Sequence, residues 1–218
     1  MSAEPEDAGE APPITPQAFL RERARQGPAF LDAVLADARA AAANLMLPPR
    51  PQSRWHDIRL VVRMAWEADA FLAMTLIRLA AMLRGAGIPL LPMIARRIAI
   101  VIAQVHVGAP VLIGPGIFLP HGQVVIDGIV SIGAGAQIRP FVTIGLMEGN
   151  YIGPTIGKRV KIGTGAKILG PVTVGDGARI GANAVVIEDV PAGATVVGVP
   201  ARVVRQPGGG KAPLGAGA

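Results

Sequence analysis

The stretch IGKRVKIGTGAKILGPVTVGDGARIGANAVVIEDV, residues 156–190, decides the fold. Stepping by six from Ile156 meets Ile162, Ile168, Val174, Ile180 and Val186. Stepping back meets Asn150, then Ile144, Ile138, Ile132 and Ile126, so one position in eleven fails. Gly follows the apolar residue at 133, 145, 157, 163, 175 and 181. Four places after it stands a small or β-branched residue, as at Ala136, Val160, Ala166, Ala178 and Ala184. A period of six is neither the helical 3.6 nor the simple strand alternation of two. It describes a short strand plus a turn: Ile or Val points inward, the small residue fills the corner, and Gly permits the turn. Three hexads close one coil, so residues 113–199 supply about five coils of a parallel β-helix. Glu148 and Asn150 break the pattern, which predicts a loop bulging from the coil at 146–151.

Outward from the repeat, composition marks a boundary. Only Gly9 and Gly27 precede residue 85, whereas 26 of the 28 glycines lie from Gly85 onward. The earlier part is rich in Ala, Leu and Arg and predicts helices over 28–44, 52–83 and 89–104. Pro48, Pro49 and Pro51 break the first pair, and Gly85 and Gly87 the second. The fold class is therefore α+β, a helical N-terminal region followed by a β-helix. The expected organisation is a disordered segment over 1–16, a helical domain over 17–107, a hexapeptide-repeat domain over 108–205 and a flexible tail over 206–218.

With 51% hydrophobic and 17% charged residues, the chain of 218 residues is too apolar for a disordered protein. The absence of Cys excludes a disulfide scaffold, a zinc–thiolate site and a cysteine nucleophile. The net charge of +6 favours anionic partners. One Tyr, five Phe and two Trp leave little to stack bases on, so no nucleic acid is expected. The acidic, Pro-rich start does not look like a signal peptide. Charges such as Arg63, Glu67, Asp69, Arg96 and Arg97 interrupt the apolar runs and argue against a membrane span. A cytoplasmic protein is expected, with association at the inner membrane face as a minor alternative.

The repeat resembles the left-handed parallel β-helix hexapeptide family, and more closely the bacterial serine O-acetyltransferases and related acetyltransferases. The resemblance covers about residues 57–205. It is tightest in IGKRVKIGTGAKILGPVTVGDGARIGANAVVIEDVPAGATVVGVPAR (156–202) and in VHVGAPVLIGPGIFLPH (105–121). It implies left-handed winding, acetyl transfer from acetyl-CoA to a hydroxyl, and trimers, or hexamers joined through the N-terminal helices.

By that resemblance His121 falls on the catalytic histidine, a general base that accepts the proton of an attacking hydroxyl. The family's orienting carboxylate is His106 here. Its serine-contacting carboxylates correspond to Pro120 and Ala65, and its Arg-His pair to Ile152 and Gly153. Loss of these groups makes serine a poor expected acceptor. A sugar of a polysaccharide or glycolipid precursor is expected instead. Serine O-acetyltransferase in cysteine biosynthesis and an impaired scaffold are the alternatives.

The cofactor half is better kept. Gly145, Thr164, Ala182 and Thr195 match residues lining the CoA groove, and Lys161, Lys167, Arg179 and Arg202 are candidates for its phosphates. No metal is expected: a zinc site of this fold needs three histidines together, and the chain's are His56, His106 and His121. Serine acetyltransferases that join a cysteine synthase end in Ile, so Ala218 predicts no such partner.

Overall fold

The computed structural model describes residues 16–47 and 53–206. Pro48, Pro49 and Pro51, most of the segment 1–16 and most of the tail 206–218 lie outside the described residues. Five helices come first: α1 (Pro16–Arg25), α2 (Phe30–Asn44), α3 (Arg54–Glu67), α4 (Asp69–Gly85) and α5 (Leu91–Ala103). Among the described residues fourteen short strands follow: β1 (Val105–Val107), β2 (Leu112–Ile113), β3 (Val124–Ile126), β4 (Ile129–Ile132), β5 (Gln137–Ile138), β6 (Thr143–Gly145), β7 (Ile152–Ile156), β8 (Lys161–Ile162), β9 (Lys167–Leu169), β10 (Thr173–Val174), β11 (Arg179–Ile180), β12 (Val185–Val186), β13 (Thr195–Val197) and β14 (Arg202–Arg205).

The strands form three sheets, ordered β1-β3-β6-β9-β12, β2-β4-β7-β10 and β5-β8-β11-β13-β14. They will be called the first, second and third faces. Every pairing is parallel except β13 with β14. From β3 to β12, successive strands visit the faces in turn, which is the path of a chain wound around three sides. Each turn stacks on the next through registers such as Ile126↔Ile144↔Ile168↔Val186 on the first face. The period-six positions are the inward ones. Ile144 and Ile168 are fully buried, and Ile138, Ile162 and Val186 nearly so. The corner alanines Ala136, Ala166, Ala178 and Ala184 are also fully buried. Burying one such Ile contributes about 1.5–3 kcal/mol, so the column outweighs any single polar contact on the surface.

The interruption lies where the sequence predicts it. Normally six residues separate inward positions, but Ile144 and Ile156 are twelve apart in register. The extra residues leave the coil with Met147 and Tyr151 exposed. Beyond the last coil, β14 (Arg202–Arg205) folds back antiparallel on β13 (Thr195–Val197) and covers a strand edge that would otherwise invite pairing.

The helices differ from the sequence expectation in two ways. The helix expected over 52–83 is two helices, because Ala68 adopts an extended backbone (φ −135°, ψ 98°) between α3 and α4. No Gly or Pro marks that break. Pro16, expected in a disordered segment, opens α1, a polar helix that fully buries no residue and half-buries Leu20, Arg23 and Ala24. Side-chain bonds dock it instead, among them Arg23 to the Val130 carbonyl (3.1 Å) and the Ser131 hydroxyl (3.0 Å).

Helices α4 and α5 close the open end of the coils. Ala70, Ala73, Met74, Ile77, Ala99 and Ala103 belong to the same buried cluster as the coil aliphatics. Small residues let the two helices approach closely. Beneath them lies a buried ion pair. The Arg78 guanidinium on α4 donates to both carboxylate oxygens of Asp37 on α2, with Nη2–Oδ1 at 2.9 Å. It also donates to the carbonyls of Ile113 (3.2 Å) and Gly114 (2.8 Å) on the first coil. Asp37 in turn accepts from the Ile117 N–H (2.8 Å). Burial pushes the Asp37 carboxyl up, against the pull of Arg78 and of the Ile117 and Gly116 amides. The pair thus ties two helices to the coil, with every charge met.

Removing one partner strands the other in the interior. Asp37→Ala is expected to cost about 3–5 kcal/mol in chemical denaturation. The double variant Asp37→Leu/Arg78→Met should recover a large part of that loss. A single variant within 1 kcal/mol of wild type would show that the pair does not fasten the helices.

Candidate functional site

Each coil corner between the third and first faces stacks on the one before it. The chain of bonds can be followed residue by residue. Gln123 N–H donates to the Ala103 carbonyl (2.9 Å), and Phe141 N–H to the Gln123 carbonyl (2.8 Å). Gly165 N–H donates to the Pro140 carbonyl (2.9 Å), and Asn183 N–H to the Thr164 carbonyl (2.8 Å). Pro140, Thr164 and Ala182 therefore occupy one corner column, and His121 stands in the preceding corner, two residues before Gln123. At the spacing of stacked strands, the corners of His121 and Ala182 lie about 14 Å apart. The turn is specified locally by left-handed residues, with φ of 63° at Gln123 and at Phe141.

His121 sits exposed at the corner preceding that column. It lines an open hollow of about 450 Å³. The other walls are the α3–α4 junction with Glu67 and Asp69, the end of α5 with Val101 and Gln104, and Pro120 to Gln123. Gly122 makes this approach possible. A Cβ there would stand 1.5 Å from the Ala103 carbonyl oxygen at the end of α5, so only Gly lets the corner seat against the helix.

Glu67 and Asp69 are functional candidates that the sequence reading did not single out. The unmarked break at Ala68 places both residues on the wall of the hollow. Glu67 is held by Arg63 at 2.9 Å, both side chains being about half exposed. Asp69 lies in the first turn of α4, where the helix dipole favours a carboxylate. It has no ion-pair partner among the described residues. No Lys or Arg lines the hollow.

His106 stands apart from this group. It is half-buried in the middle of β1, in register with Val125. It does not line the hollow, and no hydrogen bond joins it to His121. The third histidine, His56, is on α3.

The residues matched to the CoA groove separate into groups. Thr164 and Ala182 lie in the corner column that follows the corner of His121. Lys161, Arg179 and Thr195 stand in one row on the outer side of the third face, in the register Gln137↔Lys161↔Arg179↔Thr195↔Arg205. This row adjoins the corner column and carries three positive charges, Arg205 included. Gly145 ends β6 (Thr143–Gly145), at the far corner of the first face, paired with Leu169. Lys167 also lies on the first face, where its Nζ donates to the Phe141 carbonyl (2.7 Å). Arg202 is on β14 and pairs with Glu188 at 3.1 Å, both largely exposed. Within one chain, then, Gly145 and Arg202 are not brought to the corner column of Thr164 and Ala182.

The family model for the bacterial transferase hexapeptide (six repeats) matches residues 153–188. The serine acetyltransferase of Mycobacterium tuberculosis is 46% identical over 113 residues, covering 49% of this chain and 48% of that protein. A serine acetyltransferase solved with cysteine has a TM-score of 0.70 at 28% identity, over 86% of this chain and 75% of that one. Another, solved with CoA, gives 0.67 at 28% identity, over 89% and 79%. The chain spans about half the length of the Mycobacterium protein. In its repeat, its sequence and its fold, the chain is similar to the serine acetyltransferases and carries the hexapeptide repeat.

Proposed function

We propose that the chain transfers the acetyl group of acetyl-CoA to the hydroxyl of a small hydroxy-amino acid of the serine type. The observation that carries this is the corner column. It runs from small groove residues, Thr164 and Ala182, to an exposed imidazole in a hollow that also holds two carboxylates. The acceptor hydroxyl gives its proton to His121 as its oxygen attacks the thioester carbonyl. The carbon–sulfur bond then breaks, and the imidazolium returns the proton to the leaving CoA thiolate. No enzyme nucleophile is needed. The pyrophosphate and 3′-phosphate of CoA fit the Lys161–Arg179–Arg205 row, where charge-assisted bonds are stronger than neutral ones. The winding is left-handed with about five coils, residues 17–107 form the helical unit, and 108–205 form the acyltransferase unit.

The sequence alone favoured a sugar acceptor, because the family's serine-contacting groups are missing at Pro120, Ala65, Ile152 and Gly153. Glu67 and Asp69 shift that balance. They offer an α-ammonium group a carboxylate from positions that alignment does not connect with serine binding. The names of the similar proteins point the same way. A sugar hydroxyl is the second reading, favoured by the lack of any Lys or Arg in the hollow to meet an amino-acid carboxylate.

The working form is a homotrimer, or a hexamer joined by the helices. Large apolar residues remain uncovered on α3 and α5, including Trp55, Trp66 and Val101, which is 83% exposed. Among the described residues no helix is long and apolar enough to cross a membrane.

Release of free thiol from acetyl-CoA, measured against L-serine, homoserine, sugars and nucleotide sugars, tests the proposal. L-serine should be the best acceptor. A nucleotide sugar ahead of serine would establish the second reading, and silence across the panel would leave a scaffold. His121→Ala should lower turnover by about 10²–10⁴-fold while CoA still binds. Asp69→Asn should raise KM for serine about tenfold and leave KM for acetyl-CoA unchanged, the scale of one charge-assisted hydrogen bond. Gly122→Ala should lose most activity while Tm of the coil region is largely kept, since its Cβ displaces the corner that carries His121.

A further inference from the structure

A second cavity, of about 280 Å³, lies at the other end of α4, between the helices and the first coil. Its floor is apolar, with Met74, Ile77, Val107 and Ile113. Its polar wall is made by arginines. Arg78 is matched by Asp37, as described above. Arg84 and Arg96 are not matched: among the described residues neither has a carboxylate within ion-pair distance.

Arg84 and Arg96 are half-buried, and each is close enough for the two charges to be felt. Among the described residues Arg84 donates to the Ala109 carbonyl alone, at 3.5 Å. The Nε of Arg96 is buried without any hydrogen-bond partner. No Asp or Glu lines the cavity. Asp127 is the nearest acid whose charge reaches Arg96, and it forms no ion pair with it. Desolvation lowers the pKa of both guanidinium groups. Buried polar groups are nearly always satisfied, so an orphaned donor in a cationic hollow calls for a partner. The apolar floor restricts what that partner is.

We propose that this cavity binds a small amphipathic anion, a carboxylate or phosphate monoester carried on a short apolar group. The anionic head lies between the guanidinium groups of Arg84 and Arg96 and accepts from their N–H groups. The apolar part lies over Met74, Ile77, Val107 and Ile113. The site is separate from the hollow at His121, because α4 alone places about 21 Å between Ala70 and Arg84. The proposal therefore does not depend on the acetyl-transfer reading.

Isothermal titration of the full chain tests it, with hexanoate and hexyl phosphate as the probes and hexanol and inorganic phosphate as controls. Saturable binding of hexanoate or hexyl phosphate, one per chain, is expected, and the two arms separate a carboxylate from a phosphate site. Hexanol and inorganic phosphate should bind at least tenfold more weakly. Arg84→Met and Arg96→Met should each weaken binding at least tenfold, and His121→Ala should leave it unchanged. The unliganded Arg96→Met chain should melt no lower than wild type, because it removes an unsatisfied charge. No saturable binding, equal binding of hexanol or inorganic phosphate, or full binding by the two Met variants would overturn the proposal.

Discussion

Everything in this molecule depends on the stacking of six-residue turns in register. An inward Ile or Val must meet the Ile or Val of the next coil, and a small residue must fill the corner beneath it. Once that constraint holds, the strands can be two or three residues long, because each borrows its partners from the coils above and below. It also explains a core built almost without aromatic residues. The same register aligns the corners, so residues far apart in the chain stand in one column. His121, Thr164 and Ala182 span 61 positions in sequence, yet their corners belong to one stack.

The coil alone does not make the site. Its open end is closed by α4 and α5, and the Asp37–Arg78 pair fixes α2 and α4 relative to the first turn. This placement brings the α3–α4 junction over His121 and adds Glu67 and Asp69 to a face that would otherwise carry one imidazole. A one-residue break in a helix thus decides the charge of the hollow. The Arg84–Arg96 cavity arises from the same docking, at the opposite end of α4. Helix α4 therefore has an acidic hollow at its start and a basic one at its end.

The coil was legible in the sequence because a period of six leaves a mark at every sixth position, and its one failure at Asn150 located the loop. The register stacks Arg179 on Lys161, and Ala182 on Thr164, but only the resemblance marked these residues as candidates. The helical part was less legible. Ala68 has no sequence signal for an extended backbone, since tertiary contacts rather than Gly or Pro end α3. Helix α1 is short and mostly polar, fully buries no residue, and is held by Arg23. Alignment marked where familiar carboxylates were missing, but it had no means of showing that Glu67 and Asp69 approach the same hollow from a new direction. His106 shows the converse: it holds an aligned position, yet it lies outside the hollow and makes no bond to His121.

The central claim is that the corner column is a track leading acetyl-CoA to His121. A crystal structure of the chain with CoA tests it most directly. The account predicts the pantetheine arm along Thr164 and Ala182, the phosphates near Lys161 and Arg179, and the thiol within reach of the His121 imidazole. CoA bound away from that column, or with its thiol remote from His121, would contradict it.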